Sequence, residues 1–128
     1  MRFRAAQHLR RQDDIRAVRE QGRRIDCRVF TLWWKRRETV AHAGESPNPS
    51  PRVCVIASYK GVGIAVQRNR AKRRLREVFR LHQQAVPAGC DLLLIARAAA
   101  TNCPLPELEQ KFVEACQRIA PAVATESR

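Results

Sequence analysis

The chain lacks both a membrane-length apolar run and any cysteine pair spaced for zinc. No stretch of about 18 apolar residues occurs, and the basic N-terminus has no apolar segment like that of a secretory signal. The five cysteines lie far apart, without a C-x-x-C pair or a Cys/His cluster. We therefore expect a cytoplasmic protein with reduced thiols, no membrane partner and no metal site of its own.

Acidic residues are also scarce. The chain has 12 Asp and Glu against 25 Lys and Arg, which gives a formal net charge of +13. This excess indicates a polyanionic partner, nucleic acid first and an anionic membrane second. A hydrophobic share of 45% in 128 residues is enough for one core. We expect a single domain at 1–121, followed by a flexible tail at 122–128.

The residues do not form a recognisable catalytic set. The Gly-Val-Gly stretch at 61–63 lacks the third glycine of a dinucleotide loop and the ending of a P-loop. The three histidines are scattered, and no paired carboxylates suggest a nuclease site in the protein. Asp13, Asp14 and Asp26 could help to hold a metal near RNA, although helix capping is the simpler interpretation of the first two. We expect no catalytic residues in this chain.

Helix-forming and strand-forming segments alternate in the order α-β-β-β-α-β-α. This order predicts an α/β (α+β) two-layer sandwich around a four-stranded sheet. The predicted segments are a helix at 10–22, strands at 27–37 and 52–59, a short strand or helix approach at 62–66, a helix at 68–85, a strand at 90–100 and a helix at 104–120. The proline-rich segment 38–51 is expected to be an exposed hairpin loop between two antiparallel strands.

The strand at 27–37 has two apolar faces. Period-two alternation places Phe30, Leu32 and Trp34 on one face, and Val29, Thr31 and Trp33 on the other. This strand is therefore expected to cover the core with one face and to line a cleft with the other. The strand at 90–100 is a continuous apolar run of the kind found inside a sheet.

The helix at 68–85 has one apolar side and one cationic side. At about 100° per residue, an arc of roughly 140° contains Arg68, Asn69, Lys72, Arg73, Arg76 and Arg80. Ala71, Leu75, Val78 and His82 lie opposite, with Phe79 at the edge. Like charges at i,i+4 repel by a few tenths of a kcal/mol per pair, so a solvated face would mix signs. A phosphate backbone would relieve the repulsion and release counterions.

The segment VGIAVQRNRAKRRLRE at 62–77 resembles the signature of the protein component of bacterial ribonuclease P. Its core is an Arg-Asn-Arg motif followed by basic helical residues. The flanks agree in the same order, with segments that resemble the family's first helix and its strands. Nearly the whole chain is covered, apart from the 38–51 loop and the tail. The resemblance implies a fold like that of the second domain of ribosomal protein S5.

The resemblance also implies a division of labour within an endoribonuclease. The catalytic RNA hydrolyses the precursor tRNA with Mg²⁺ held mainly by that RNA, and the protein binds the RNA and the 5′ leader. Positions matching the RNA-contacting motif are Lys60, Arg68, Asn69, Arg70, Lys72, Arg73 and Arg76. Positions matching the leader-binding cleft are Ile15, Arg19, Trp33, Cys54, Ile56 and Ser58. A protein that is monomeric outside the holoenzyme is expected.

Two positions depart from the family pattern. Ile15 and Arg19 stand where phenylalanines are common, so base stacking worth about 1–3 kcal/mol per base is lost there. Arg19 could stack its guanidinium plane or contact phosphate, and Trp33 could carry more of the stacking. The SYKGVG segment at 58–63 is also one residue longer than usual, with Tyr59 in place of a lysine.

Two other functions fit the charge. A ribosomal or other RNA-packaging protein would make the same phosphate contacts without a role in cleavage. A DNA-binding protein could place the basic helix in a major groove, but only Asn69 on that helix is suited to reading adenine. The RNA that co-purifies would separate the first alternative from ribonuclease P.

Overall fold

The computed structural model describes residues 12–36 and 51–126. The predicted 38–51 loop, apart from Pro51, lies outside the described residues, and so do residues 127–128. Within the described part of the chain, no helix is long and apolar enough to cross a membrane.

The described residues form four helices and a four-stranded mixed sheet. In chain order the elements are α1 (Gln12–Gln21), β1 (Arg23–Asp26), β2 (Phe30–Arg36), β3 (Arg52–Ile56), α2 (Ala65–His82), a 3-10 turn (Gln83–Ala85), β4 (Cys90–Ala96), α3 (Ala99–Asn102) and α4 (Leu105–Glu126). The α+β class and the order α-β-β-β-α-β-α are confirmed, with the short α3 as an addition. The sheet order is β1-β2-β4-β3.

Three strands precede α2, as predicted, but one of them is formed by a different segment of the chain. The prediction placed a strand at 62–66, but Ile64 is the N-cap of α2, and Ala65 and Val66 lie in the helix. The missing strand is β1, which pairs with β2 along the edge of the sheet. Three of its four residues are exposed. An exposed edge strand needs no apolar alternation, so the sequence pattern did not reveal it.

The predicted hairpin between β2 and β3 is also wrong. Strand β4 lies between them, antiparallel to β2 and parallel to β3. Six of the seven β4 residues are buried, and a strand that is apolar on both faces is most stable inside a sheet. The prediction that this strand is internal is confirmed.

Alternation along β2 separates two apolar clusters on opposite faces of the sheet. Phe30, Leu32 and Trp34 belong to the main core, which α2 and α4 cover. Trp33 packs in a smaller cluster around Val18 of α1 and Leu93. Helix α1 therefore lies on the face opposite α2 and α4.

Val29 was predicted beside Trp33, but it belongs to the main core instead. It precedes β2, in a turn where Arg28 has a positive φ of 67°. The alternation of the strand does not extend into this turn.

The predicted apolar side of α4 is confirmed. Leu108, Phe112, Ala115 and Ile119 are all buried, and Phe112 meets Phe79 of α2 edge-to-face with ring centroids 6.4 Å apart. The helix extends to Glu126, beyond the predicted end at residue 120. The backbone of 122–126, predicted as a tail, therefore continues α4.

Arg52 joins α1 to the sheet. Its Nε and a terminal NH₂ donate to the two carboxylate oxygens of the buried Asp91 on β4, at 2.9 and 2.8 Å. The same NH₂ lies 3.7 Å from a carboxylate oxygen of Asp14 on α1. Asp14 thus takes part in an ion pair. In the described ranges, no three His, Cys, Asp or Glu side chains are grouped to hold a metal.

Gly22 fixes the approach of α1 to the sheet. Its N–H donates to the Val18 carbonyl at 2.9 Å. A Cβ at this position would lie 2.1 Å from the Val18 carbonyl oxygen and 2.6 Å from that of Trp34. Both contacts are with backbone, so a side chain could be accommodated only if α1 and β2 moved apart.

We expect Gly22→Ala to lower the free energy of unfolding by about 2–3 kcal/mol, because overpacking against backbone has no flexible neighbour to relieve it. Urea unfolding followed by circular dichroism measures the change. Gly61→Ala is the matched control, since its Cβ would meet the Ser58 hydroxyl at 3.0 Å. Equal losses in the two variants would contradict the role assigned to Gly22.

Candidate nucleic-acid interface

Helix α2 has the two sides that its sequence predicted. Burial of Ala71, Leu75, Val78 and Phe79 holds it against β3, β4, α3 and α4. Each of the three larger apolar side chains contributes about 1.5–3 kcal/mol when fully buried. The predicted RNA-contacting residues of this helix lie on its exposed or half-exposed remainder. The core thus determines which way the cationic side faces.

Four of the predicted RNA-contacting side chains are available to a ligand. The side chains of Asn69, Lys72, Arg73 and Arg76 make no hydrogen bond or ion pair with other described residues. Asn69, Arg73 and Arg76 are exposed, and Lys72 is partly exposed. Because positions along a helix repeat about every turn, these groups form a continuous strip of donors, which we call the cationic strip.

Arg68 is the most distinctive of the predicted residues. Its Nε is buried and has no hydrogen-bond partner among the described residues. Buried donors are normally satisfied, because leaving one unpaired costs about 1–3 kcal/mol. Arg68 as a whole is half-exposed, and a guanidinium binds phosphate in a planar, bidentate manner.

Two arginines of α2 hold the segment after β4. Arg70 donates from Nε to the Thr101 carbonyl at 3.0 Å. Arg74, which was not among the predicted residues, donates to the carbonyls of Ala100, at 3.0 Å, and Cys103. These bonds satisfy carbonyls at the end of α3. Arg70 therefore has a structural contact, although four of its five donors remain for other partners.

Arg80 pairs with an acid of its own helix. Its guanidinium donates to both carboxylate oxygens of Glu77. The hydrogen bond from Arg80 holds the pKa of Glu77 below its usual value and raises the pKa of Arg80. Because Glu77 offsets its charge, Arg80 adds less to the cationic strip than its position alone suggested.

The turn before α2 places Lys60 and Ser58 in solvent. Both are exposed, and the Ser58 hydroxyl accepts the Gly61 N–H at 2.9 Å. Gly63 has a positive φ of 129°, which glycine adopts without strain. Lys60 is thus presented near the start of the helix, whereas Ser58 is occupied in shaping the turn.

Four of the predicted leader-contacting residues come together on the α1 face of the sheet. Ile15, Trp33, Cys54 and Ile56 are partly buried and pack against the same small cluster around Val18. Helix α1 covers β2 and β4. The half-exposed Cys54 and Ile56 on β3 therefore form the open side of an apolar cleft.

A groove runs beside this cleft on α1. It has a volume of about 450 Å³ and is lined by Gln12, Ile15, Arg16, Arg19 and Glu20. Arg19 is exposed there, so the structure places it with Ile15 as predicted. Arg16 was not predicted, although its spacing of three from Arg19 along a helix indicated a shared side.

The cleft adjoins the cationic strip at Cys54. Burial raises the pKa of the Cys54 thiol, while the charges of Arg76 and Lys72 act in the opposite direction. Helix α2, which carries both cations, packs against β3, the strand that carries Cys54. Apolar side chains and cationic groups therefore share one border along the β3 edge.

Comparisons with known proteins agree with one another. The family model described as Ribonuclease P matches residues 3–120. A "Ribonuclease P protein component" from Pseudomonas putida is 41% identical over 78 residues, covering 61% of this chain and 58% of the relative. One of the same name from Symbiobacterium thermophilum is 43% identical over 82 residues, covering 64% of this chain and 71% of the relative.

A solved structure supports the fold. The ribonuclease P protein from Thermotoga maritima has a TM-score of 0.70 and 22% identity, with 87% of this chain and 96% of that chain covered.

Replacing both Lys72 and Arg76 by Gln should raise the pKa of Cys54 further, because two favourable charges for the thiolate are removed. The pKa is measured from the pH dependence of iodoacetamide alkylation at Cys54, resolved by mass spectrometry. The reaction at Cys103 in the same digest is the internal control. An unchanged or lower Cys54 pKa would show that the cationic strip does not adjoin the cleft at Cys54.

Proposed function

This chain belongs to the Ribonuclease P family, and from that premise we propose that it is the protein subunit of a ribonuclease P ribonucleoprotein. It binds the catalytic RNA and the 5′ leader of precursor tRNA and so promotes endonucleolytic maturation of tRNA. The observation that carries the proposal is that α2, which bears the cationic strip, packs against β3, which bears Cys54 and Ile56 of the apolar cleft. A single-stranded leader offers the matching chemistry, phosphates on one side and bases on the other.

The cationic strip serves the phosphate backbone in this proposal. Lys72, Arg73 and Arg76, together with Arg68 at its start, replace condensed counterions, so affinity gains from ion release. Arg70 and Arg74 keep α3 attached to α2, which holds the strip rigid before the RNA arrives.

The cleft receives leader bases. Trp33 is the aromatic residue in its apolar cluster, and stacking on such a ring is tolerant of base identity. Arg16 and Arg19 lie in the neighbouring groove and contact leader phosphates. At position 19 a charge thus stands where the family commonly has an aromatic ring, and Arg16 adds a second charge beside it.

The RNA subunit carries out hydrolysis and holds the Mg²⁺ ions. The protein neutralises phosphate repulsion between RNA and substrate, which lowers the Mg²⁺ concentration that the complex needs. We further propose that the protein is monomeric outside the holoenzyme and acts in the cytoplasm. The family match favours this function over that of a general RNA-packaging protein.

Reconstitution tests the proposal. Adding the protein to a bacterial ribonuclease P RNA at low Mg²⁺ should accelerate 5′ cleavage of precursor tRNA at least about tenfold over the RNA alone, because the protein supplies charge that Mg²⁺ otherwise provides. The measurement is a single-turnover cleavage rate across a Mg²⁺ series. Lysozyme at the same total concentration of net charge controls for nonspecific cations. Absence of stimulation at every Mg²⁺ concentration would refute the proposal.

Trp33→Leu should weaken binding of the leader-bearing precursor about tenfold and leave mature tRNA unchanged, because a leader base can no longer stack on the indole ring. Filter binding of the two RNAs to the reconstituted complex measures the difference. Trp34→Phe is the control, since Trp34 lies on the opposite, buried face of the same strand. Equal losses of affinity for both RNAs with Trp33→Leu would show that Trp33 does not contact the leader.

A further inference from the structure

A second basic site lies at the other edge of the sheet. A pocket of about 270 Å³ opens between the turn after β1 and helix α4. The lining residues that matter for its chemistry are Asp26, Cys27, Arg28, Lys111, Glu114 and Arg118. Strand β1 and strand β3 are the two edges of the sheet, about 14 Å apart at the usual spacing between strands. The pocket is therefore separate from the cationic strip and the cleft.

The three cations of this pocket have no ion-pair partner among the described residues. Lys111 and Arg118 are seven apart on α4 and so share one side of the helix, and Arg28 comes from the turn. Asp26 is compensated from outside the lining, because its carboxylate lies 3.1 Å from the Arg97 guanidinium. Glu114 accepts a hydrogen bond from Gln110 at 3.2 Å. The pocket keeps a net positive charge.

The α4 cations act on the inner wall of the pocket. Burial raises the pKa of the Cys27 thiol to about 11, and Asp26 adds to the rise, whereas Arg118 and Lys111 oppose it. Their fields thus reach a buried group from one side. An anion in the pocket would experience the same two charges.

The turn that carries Arg28 is held in an unfavourable conformation. Arg28 has a φ of 67°, which side chains with a Cβ rarely adopt. Its N–H donates to Asp26 at 2.8 Å, and the Val29 N–H donates to the Cys27 carbonyl at 2.8 Å. The turn is therefore fixed, and it keeps an arginine at the pocket where glycine would relieve the strain.

We propose that Arg28, Lys111 and Arg118 bind a backbone phosphate of the same RNA that α2 contacts. This inference rests on the proposed function and adds a second anchor to it. Two anchors on opposite edges of one rigid sheet fix the rotation of the protein on the RNA, which one strip of charges alone leaves free. Phosphate contacts position a protein without reading sequence.

Replacing both Lys111 and Arg118 by Gln should weaken binding to ribonuclease P RNA about tenfold at about 0.15 M salt. The slope of log affinity against log salt should flatten by about 0.7–0.9 for each phosphate that is no longer neutralised. The charge-preserving double variant Lys111→Arg with Arg118→Lys should restore both values. Affinities are measured by filter binding with full-length protein, whose fold is checked by thermal unfolding.

An acid-to-amide change gives a second test that removes no favourable interaction with phosphate. Glu114→Gln should raise RNA affinity about twofold, because it removes the one lining acid that has no compensating cation among the described residues. Glu107→Gln on the same helix lies outside the pocket and is the matched control, with no change expected beyond its small effect on net charge.

Three outcomes overturn the inference. If the wild-type protein binds and the double variant with Gln at positions 111 and 118 matches it in affinity and salt slope, the pocket is not an RNA contact, while the proposed function stands. If inorganic phosphate raises the melting temperature of the wild type only, with RNA binding equal in both, the pocket takes a free anion instead. If the wild type itself does not bind the RNA, the proposed function fails and the inference with it.

Discussion

Burial of one side of α2 against β3, β4, α3 and α4 is the interaction on which the rest of this structure depends. Leu75, Val78 and Phe79 can be removed from water only if the opposite side of the helix faces outward. That opposite side carries like charges spaced one turn apart, which repel each other by a few tenths of a kcal/mol per pair. The core therefore holds the chain in an arrangement that a phosphate backbone stabilises further.

The same packing brings two kinds of chemistry together. Helix α1 packs mainly on β2 and β4, so Cys54 and Ile56, on the same face of β3, stay half-exposed beside the cationic strip. Arg52 of β3 binds the buried Asp91 of β4 and lies near Asp14 of α1, so it connects the three elements that surround the cleft. In the proposed function, a flexible strand of RNA would meet a surface that is already formed, so less ordering free energy would be lost on binding.

The sequence predicted those helices and strands in which burial sets the spacing of the apolar residues. The stripe of α4 through Phe112, the two faces of β2 and the central β4 all follow from apolar spacing. Strand β1 was missed, because an exposed edge strand with Arg23, Arg24 and Asp26 has no apolar period. The supposed β2–β3 hairpin was wrong, because pairing between strands is a long-range choice and depends on which strand is apolar on both faces.

The sequence alone determined the net charge, the amphipathic α2 and the Arg68-Asn69-Arg70 motif that identifies the family, since each is local in the chain. Only the tertiary structure decided how each charge is used. It engages Arg70 with Thr101 and Arg80 with Glu77, and it leaves the Nε of Arg68 buried without a partner among the described residues. It also assembles Arg28, Lys111 and Arg118 around one pocket. These arrangements join residues far apart in sequence or depend on side-chain geometry, which spacing along the chain does not encode.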